Sequence, residues 1–249
     1  MSNDGALKEK EMIYSLNNKK VKELSNNARE LLRRLFGKLD DELMVRCYKV
    51  DEAFKTDFVI SYNGQQKNVS MKSETAVVVH NEILLNFIDF LRGLGISEET
   101  LDTIKLFHYG DGTTDGTGQI RLPYDEVAQQ LKDRIKKANM ELNASMDVIL
   151  AVMNRCVFKG SHEDNIEADC LYFGDADYGV VANKKQFIRN IQKRGFDFYS
   201  HLHCGKIFFR PDARYLNKDI NEPRKVDRIV CYWPHLKQDI EYMSKKLNY

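Results

Sequence analysis

The amino-acid sequence predicts an α/β protein, and three patterns support this class. Apolar residues recur at helical spacing over residues 19–37, and Gly37 is placed to end that helix. Residues 53–82 then contain two alternating runs joined by Asn63-Gly64. This pair favours the tight turn of a β-hairpin, because both turn positions need positive φ. A strongly apolar helical run follows directly, and we expect this helix to cover the sheet.

The composition is that of an ordinary soluble protein with a substantial core. The chain has 249 residues, of which 43% are hydrophobic and 30% charged, and its net charge is +1. No segment approaches the roughly 18 apolar residues of a membrane span, and the N-terminus lacks the apolar stretch of a signal peptide. The 5 cysteines include no CxxC pair, which favours buried free thiols. We therefore expect a cytoplasmic protein that does not contact membranes.

The hairpin around Asn63-Gly64 predicts a strand register. Counting back from the turn places Asp57 opposite Ser70, and directly opposed residues share one face of a sheet. Because side chains alternate along a strand, Lys72 lies on the same face as Ser70. The sequence therefore predicts an acid and a lysine in diagonal positions on the more polar face of the hairpin.

Periodicity and capping residues predict the remaining elements in chain order. The first 18 residues are polar, and we expect a loose start. A strand over residues 43–50 precedes the hairpin. Glu82 is expected in the first turn of an apolar helix over 83–94, where the helix dipole favours a negative charge. The later elements are helices over 97–106 and 125–154, the second interrupted near 143–145; a hairpin over 169–182; a basic helix from Lys184; a hairpin over 196–210 that turns at Cys204-Gly205; a strand over 226–233; and a closing helix.

The charge distribution changes in the last third of the chain. Residues 161–183 hold six acids and no Lys or Arg, whereas residues 184–228 hold twelve Lys and Arg against five acids. Such a basic region is compatible with a polyanion, and an idle solvated surface is an equally good explanation. The candidate nucleic-acid-binding residues are Lys184, Lys185, Arg189, Lys206, Arg210, Arg214, Arg224 and Lys225.

The order helix, strand, hairpin and helix around Asp57 and Lys72 resembles the core of the PD-(D/E)XK nuclease superfamily. The resemblance covers about residues 21–94. A Thr-Asp pair ending at Asp57 stands where Pro-Asp is usual, and Ser-Met-Lys from Ser70 to Lys72 stands where Asp/Glu-x-Lys is usual. The resemblance implies a restriction-endonuclease-like core of helix, antiparallel meander and helix, followed by a C-terminal α+β part.

The resemblance also implies a magnesium site, from which this sequence departs at one position. Ser70 stands in place of the second carboxylate, and a hydroxyl is a poor substitute for a charged oxygen ligand. Some restriction endonucleases of the superfamily carry Ser-x-Lys and take the missing carboxylate from the following helix. Glu82 is similar to that carboxylate and is the preferred second ligand here, while Glu74 is the rival.

Each of these groups has a role in the chemistry that the resemblance implies. Asp57 and Glu82 would hold Mg²⁺, which polarises the scissile phosphate and lowers the pKa of a bound water. Lys72 would stabilise charge on the phosphoryl oxygens or position the attacking water. Glu30, on the first helix, is either a further acid near the site or a surface charge.

The function that follows is a magnesium-dependent endonuclease, of the type II restriction class, that cuts double-stranded DNA as a homodimer. The dimer is expected because two-fold symmetry suits a symmetric cleavage site. Residues 1–160 would form the nuclease-like catalytic core with a helical insertion, and residues 161–249 a basic part that recognises DNA. One alternative is a non-catalytic nucleic-acid-binding or regulatory protein with a degenerate nuclease core. Another is a nuclease that acts on RNA or branched DNA.

Overall fold

The computed structural model describes residues 3–50, 54–162, 164–194, 201–212 and 226–246, and it confirms an α/β fold. None of the helices in these ranges is long and apolar enough to cross a lipid bilayer. The helices are α1 (Asn3–Leu16), α2 (Asn26–Phe36), α3 (Leu84–Gly93), α4 (Glu98–Tyr109), α5 (Tyr124–Gln130), α6 (Lys132–Leu142), α7 (Met146–Met153), α8 (Lys184–Arg194) and α9 (Leu236–Lys246). The strands are β1 (Lys19–Lys20), β2 (Met44–Lys49), β3 (Phe58–Tyr62), β4 (Gln65–Lys72), β5 (Val78–Ile83), β6 (Cys170–Gly174), β7 (Gly179–Asn183), β8 (His203–Cys204), β9 (Ile207–Pro211) and β10 (Arg228–Tyr232).

The chain divides into two compact units, and each unit is assembled from separate stretches of sequence. The first unit comprises Met1–Val77, Val157–Arg194 and His235–Tyr249, and the second comprises Val78–Cys156 and Gly195–Pro234. Strands β6 and β7 therefore belong to the first unit, together with the hairpin. The assignment of separate catalytic and recognition parts on either side of residue 160 stays a prediction.

The first unit contains a sheet of six described strands, in the order β1-β2-β3-β4-β6-β7. Strands β1 to β4 pair antiparallel, β6 runs parallel to β4, and β7 runs antiparallel to β6. The residues of the second unit begin after β4, and the chain returns to the first unit at Val157, before β6. The helix α2, the antiparallel meander β2-β3-β4 and the parallel strand β6 form a restriction-endonuclease-like core, as predicted, but the apolar helix that was expected to cover this sheet, α3, belongs to the second unit.

The hairpin between β3 and β4 has the predicted turn and register. Asn63 and Gly64 have φ angles of 47° and 74°, as a type I′ turn requires. The pairing runs back to Phe58 opposite Val69, the position next to Asp57. Local turn chemistry is therefore sufficient to place the candidate site residues on their strands.

One face of the six-stranded sheet packs on α1 and α2. Side chains of successive residues point to opposite faces of a sheet, and Asp57 and Ser70 are direct neighbours of residues that point to the packed face. Their side chains therefore lie on the other face of the sheet. The packed face includes Phe58, Ile60, Val69, Met71, Cys170, Tyr172 and Val181, which form one hydrophobic cluster with Leu31 and Leu32 of α2 and with Met12 and Leu16 of α1.

A loose start was predicted for the first residues of the chain, and residues 1 and 2 lie outside the described ranges, but the polar segment after them contains a helix that the sequence did not predict. The segment forms α1, and its Met12 and Leu16 are fully buried in the cluster just described. The helix predicted over residues 19–37 begins later, because the Ser25 side chain accepts a hydrogen bond from the Ala28 N–H at 3.2 Å and caps α2. The residues before this cap form β1 and a short 3-10 turn.

The second unit contains an antiparallel sheet of four described strands, in the order β5-β10-β9-β8. Its helices are α3 to α7, and the break predicted near 143–145 is confirmed by Ser145, which caps α7. Cys204 pairs with Ile207, so the β8-β9 hairpin turns at Gly205-Lys206 and not at Cys204-Gly205. Gly205, with φ of 56°, occupies the left-handed conformation that this turn needs.

Two asparagines of α6 bind the backbone of β8 and of the residues beside it. Asn139 donates from Nδ2 to the His201 carbonyl at 2.8 Å and accepts at Oδ1 from the His203 N–H at 3.0 Å. Asn143, one helical turn later, donates from Nδ2 to the His203 carbonyl at 3.1 Å and accepts from the Gly205 N–H at 2.6 Å. The two side chains therefore provide hydrogen bonds that a neighbouring strand would otherwise supply.

Asn139→Ala is expected to lower the free energy of unfolding by about 2–4 kcal/mol. The N–H of buried His203 and the part-buried carbonyl of His201 would each lose a hydrogen bond, and the loss of such a bond in the protein interior costs about 1–3 kcal/mol. Urea denaturation followed by circular dichroism measures the change. Asn86→Ala, at an exposed position of α3, is the control and should change stability by no more than about 0.5 kcal/mol. Equal stability of Asn139→Ala and the wild type would contradict the prediction.

Candidate active site

Asp57 directly precedes β3, and its carboxylate is anchored to β4. Oδ2 accepts a hydrogen bond from the Met71 N–H at 2.5 Å and another from the Ser70 hydroxyl at 3.3 Å. The Asp57 N–H donates to the Val69 carbonyl at 2.9 Å, a further bond between the two strands beyond their last paired residues. These bonds hold the carboxylate in one orientation, and Oδ1 has no partner among the described residues.

Lys72, at the end of β4, lies on the same side of the sheet as Ser70 by strand alternation. Its side chain is half-buried, and its ammonium forms no ion pair or hydrogen bond with any described residue, Asp57 included. Lys67, on the other face of the same strand, differs because its Nζ lies 3.5 Å from Asp169 Oδ1. Lys72 is therefore a cation that can bind an external anion beside an anchored carboxylate.

Ser70 acts on Asp57 in this geometry. Its side chain is fully buried, and its hydroxyl donates to the Asp57 carboxylate. Because the Ser70 hydroxyl donates this hydrogen bond, it orients the Asp57 carboxylate. It does not replace the carboxylate that the superfamily motif has at this position. Ser70 is therefore a positioning residue for Asp57.

Glu82 lies on β5 in the second unit and not in the first turn of α3 as predicted, because β5 pairs with β10 through Glu82 and Ile229. The residue is only 3% exposed. Arg155 binds its carboxylate with two bonds, from Nε to Oε1 at 2.8 Å and from Nη2 to Oε2 at 2.6 Å. His80 Nε2 lies 2.9 Å from Oε1, and the Arg155 guanidinium stacks 4.5 Å from the centre of the Phe90 ring. Glu82 is thus part of a buried charge cluster.

The Glu82 carboxylate is ionised, and both of its oxygens already have donors. Burial raises the pKa of this group, but the hydrogen bonds from Arg155 and His80 outweigh burial and hold the pKa below its ordinary value. Its role as a metal ligand stays a prediction. Sequence reasoning missed Arg155, which lies on a π-helical turn over Asn154–Lys159 and is 73 positions from Glu82. No motif spacing links the two residues.

Glu74, the rival second ligand, lies in the turn that follows β4 in the first unit. Its half-buried side chain has no hydrogen-bond or ion-pair partner within the described residues. Those residues contain no group of three or more His, Cys, Asp or Glu arranged to hold a metal ion. Mg²⁺ commonly uses only one or two protein carboxylates, together with waters and substrate phosphates. One or two carboxylates can therefore be enough for this ion, and the role of Glu74 as the second ligand stays a prediction.

The basic residues of α8 lie in the first unit and differ in their surroundings. Asn183 caps the helix as predicted, since its Oδ1 accepts from the Gln186 N–H at 3.0 Å. Lys184 is paired with Glu167 at 2.6 Å, so its charge is partly neutralised. Lys185 and Arg189 line a pocket beside α2.

The second unit contributes two further predicted basic residues, and each lies over an aromatic ring. The Lys206 ammonium is 6.0 Å from the centre of the Trp233 ring, and the Arg210 guanidinium is 5.1 Å from that of Tyr232. Cation–π contacts of this kind orient the charged groups. Arg214, Arg224 and Lys225 lie outside the described residues.

A solved structure similar to this chain is that of restriction endonuclease MspI in complex with its cognate DNA. The two chains are 16% identical and superpose with a TM-score of 0.48, over 91% of this chain and 87% of that chain. No protein-family model matches the sequence, and no curated protein matches it. The fold assignment therefore rests on the strand order of the first unit, and the chemistry rests on the residues around Asp57.

Proposed function

We propose that this chain is a magnesium-dependent DNA endonuclease of the type II restriction class. The observation that carries the proposal is an anchored carboxylate, Asp57, just before β3, and a lysine, Lys72, at the end of the adjoining strand β4, whose ammonium has no partner among the described residues. Metal-dependent hydrolysis of a phosphodiester uses these two kinds of group, one for a hard cation and one for the phosphoryl oxygens. Both belong to the first unit.

Each of the candidate active-site residues in the first unit then has a separate role. Asp57 and Glu74 would hold the magnesium ion. When bound, the ion polarises the scissile phosphate and lowers the pKa of a bound water. Lys72 binds a phosphoryl oxygen and stabilises the negative charge that develops there. Ser70 and the backbone of Met71 keep the Asp57 carboxylate in its orientation.

Recognition of double-stranded DNA involves the basic residues, and a homodimer would cut both strands of a symmetric site. Lys206 and Arg210, oriented by their aromatic neighbours, contact phosphates, which supply affinity more than sequence information. Lys184 adds a weaker contact because Glu167 partly neutralises it. The cysteines are buried and form no disulfide, which suits a reducing cytoplasm, where such an enzyme would meet its DNA.

Lys72→Ala is expected to slow DNA cleavage about a hundredfold, the typical cost of removing one donor that stabilises transition-state charge. The assay incubates plasmid and phage DNA with purified protein, in magnesium or in chelator, and measures the rate at which discrete fragments form. Lys67→Ala is the matched control, because this lysine lies on the same strand but is paired with Asp169 on the other face. It should cleave at the wild-type rate.

The same assay separates this function from the alternative, a nucleic-acid-binding protein with a degenerate nuclease core. The observation that favours the alternative is Ser70, which stands where a second strand carboxylate is usual and is committed to Asp57. Duplex binding by the wild type with no cleavage at any magnesium concentration would overturn the endonuclease proposal and support the alternative. Cleavage of RNA or of branched DNA alone would move the substrate to another class.

A further inference from the structure

A pocket of about 690 Å³ opens beside α2 and α8 in the first unit. Its volume is in the range of small-molecule sites, roughly 300–1,000 Å³. Among the described residues, four cationic side chains and a single acid line it, so the summed charge of these side chains is positive. These side chains are Arg33, Arg34, Lys185, Arg189 and Glu30.

Glu30 holds two of the arginines in place. Its Oε2 accepts from Arg33 Nη1 at 3.0 Å, and its Oε1 accepts from Arg34 Nε at 2.9 Å. Arg34 also donates from Nη1 to the Ser244 carbonyl at 2.7 Å, which ties it to α9. One carboxylate thus orients two guanidinium groups and neutralises only part of their charge. Sequence reasoning considered Glu30 as a further acid near Asp57, whereas the structure pairs it with these arginines.

The N-terminus of α8 adds to the positive character of the pocket. Asn183 and Gln186 both line it, and they form a reciprocal cap with bonds of 2.9 and 3.0 Å. The first turn of an 11-residue helix carries partial positive charge from its backbone N–H groups. Lys185, in that turn, is exposed and has no ion-pair or hydrogen-bond partner among the described residues. The N-terminus of α8 and the charge of Lys185 therefore both favour the binding of an anion in this pocket.

The pocket is separate from the candidate active site. Its floor contains Cys170 and Val181, which belong to the hydrophobic cluster on the α2 face of the six-stranded sheet. Asp57 and Ser70 lie on the opposite face by strand alternation. A DNA phosphate at Asp57 therefore does not occupy this pocket, and the basic residues here need another explanation.

We propose that this pocket is a phosphate-binding site distinct from the candidate active site. Arg33 suits a phosphate group, since among the described residues it uses only Nη1, for Glu30, and a guanidinium can donate two parallel hydrogen bonds to such an anion from Nε and Nη2. The phosphate belongs either to a free phosphate-bearing molecule, such as a nucleotide, or to the backbone of nucleic acid. The site does not depend on the nuclease proposal, because none of its residues acts at Asp57.

The test measures ADP binding to the full-length protein by calorimetry, in chelator so that no hydrolysis occurs. The variant Arg33→Gln/Lys185→Ala should bind ADP at least about tenfold more weakly than the wild type, since each lost charge-assisted contact accounts for about one decade of affinity. Lys185→Ala alone should weaken binding in the same direction, and it removes no contact that the fold uses. Lys22→Ala is the control and should bind like the wild type, because Lys22 pairs with Glu42 at 2.6 Å and does not line the pocket.

A competition arm identifies the source of the phosphate. If a short DNA duplex displaces ADP from the wild type, and the double variant binds neither ADP nor the duplex, the pocket is assigned to the nucleic-acid backbone. ADP binding that the duplex leaves unchanged would assign it to a free ligand. The proposal is overturned if the double variant binds ADP, inorganic pyrophosphate and the duplex as tightly as the wild type does. It is also overturned if the wild type binds none of the three. Either result leaves the cleavage assay with Lys72→Ala unaffected.

Discussion

Asp57→Asn is expected to slow DNA cleavage at least about a thousandfold, while the protein stays folded. The amide oxygen of asparagine can still accept the hydrogen bond from the Met71 N–H, so the anchor between β3 and β4 persists. The negative charge, which a hard cation requires, is lost. Initial rates of plasmid cleavage in saturating magnesium measure the effect, and circular dichroism with thermal unfolding confirms the fold.

Asp169→Asn is the matched control for this substitution. Asp169 also accepts a hydrogen bond from a backbone N–H of β4, that of Asn68, at 2.8 Å. Its carboxylate pairs with Lys67 and not with the catalytic lysine candidate. Cleavage by Asp169→Asn should match the wild type. A wild-type rate in Asp57→Asn, or an equal loss in both variants, would show that the Asp57 carboxylate has only a structural role.

Arg155→Ala is expected to lower the free energy of unfolding by about 3–5 kcal/mol at neutral pH, because it leaves the buried Glu82 carboxylate without its main counter-ion. Urea denaturation of the full chain measures the loss. The control is Arg92→Ala, which removes an exposed arginine that pairs with Asp89 and Glu98. Surface ion pairs contribute only about 0–1 kcal/mol. Similar losses in the two variants would contradict a special role for the buried cluster.

The stability difference between the wild type and Arg155→Ala should depend on pH. Burial raises the pKa of Glu82, but Arg155 and His80 lower it below its ordinary value of 4.5. The stabilisation from this shift is complete above the unfolded-state pKa and is lost as the pH falls through the folded-state pKa. The gap between the two proteins should therefore shrink below about pH 4.5. A gap that stays constant between pH 7 and pH 3 would be inconsistent with titration of Glu82.

The fold features that could be predicted from sequence have local causes. Asn63-Gly64 predicted the turn, and counting back from it placed Asp57 beside Ser70, whose hydroxyl donates to the Asp57 carboxylate in the structure. Ser97 and Asn183 predicted helix starts because a cap acts on its own first turn. The basis for the α/β class and for the meander was therefore present in short stretches of chain.

The features that could not be predicted depend on residues far apart in the sequence. Helix α1 is stabilised by the burial of Met12 against a sheet whose strands follow α1 in the sequence. The state of Glu82 depends on Arg155, whose position no motif indicates. The pocket needs Arg33 of α2 and Lys185 of α8, which only the tertiary structure brings together. Tertiary contacts overrode the local prediction in each of these cases.

The side-chain ladder of Asn139 and Asn143 has a consequence for solution behaviour. β8 is the outermost of the described strands in its sheet, and an open outer strand invites intermolecular strand addition. Because the two amides occupy the carbonyls of His201 and His203 and two backbone N–H groups, a second molecule finds no free template there. Among the described residues, α6 therefore protects this edge of the sheet against intermolecular strand addition.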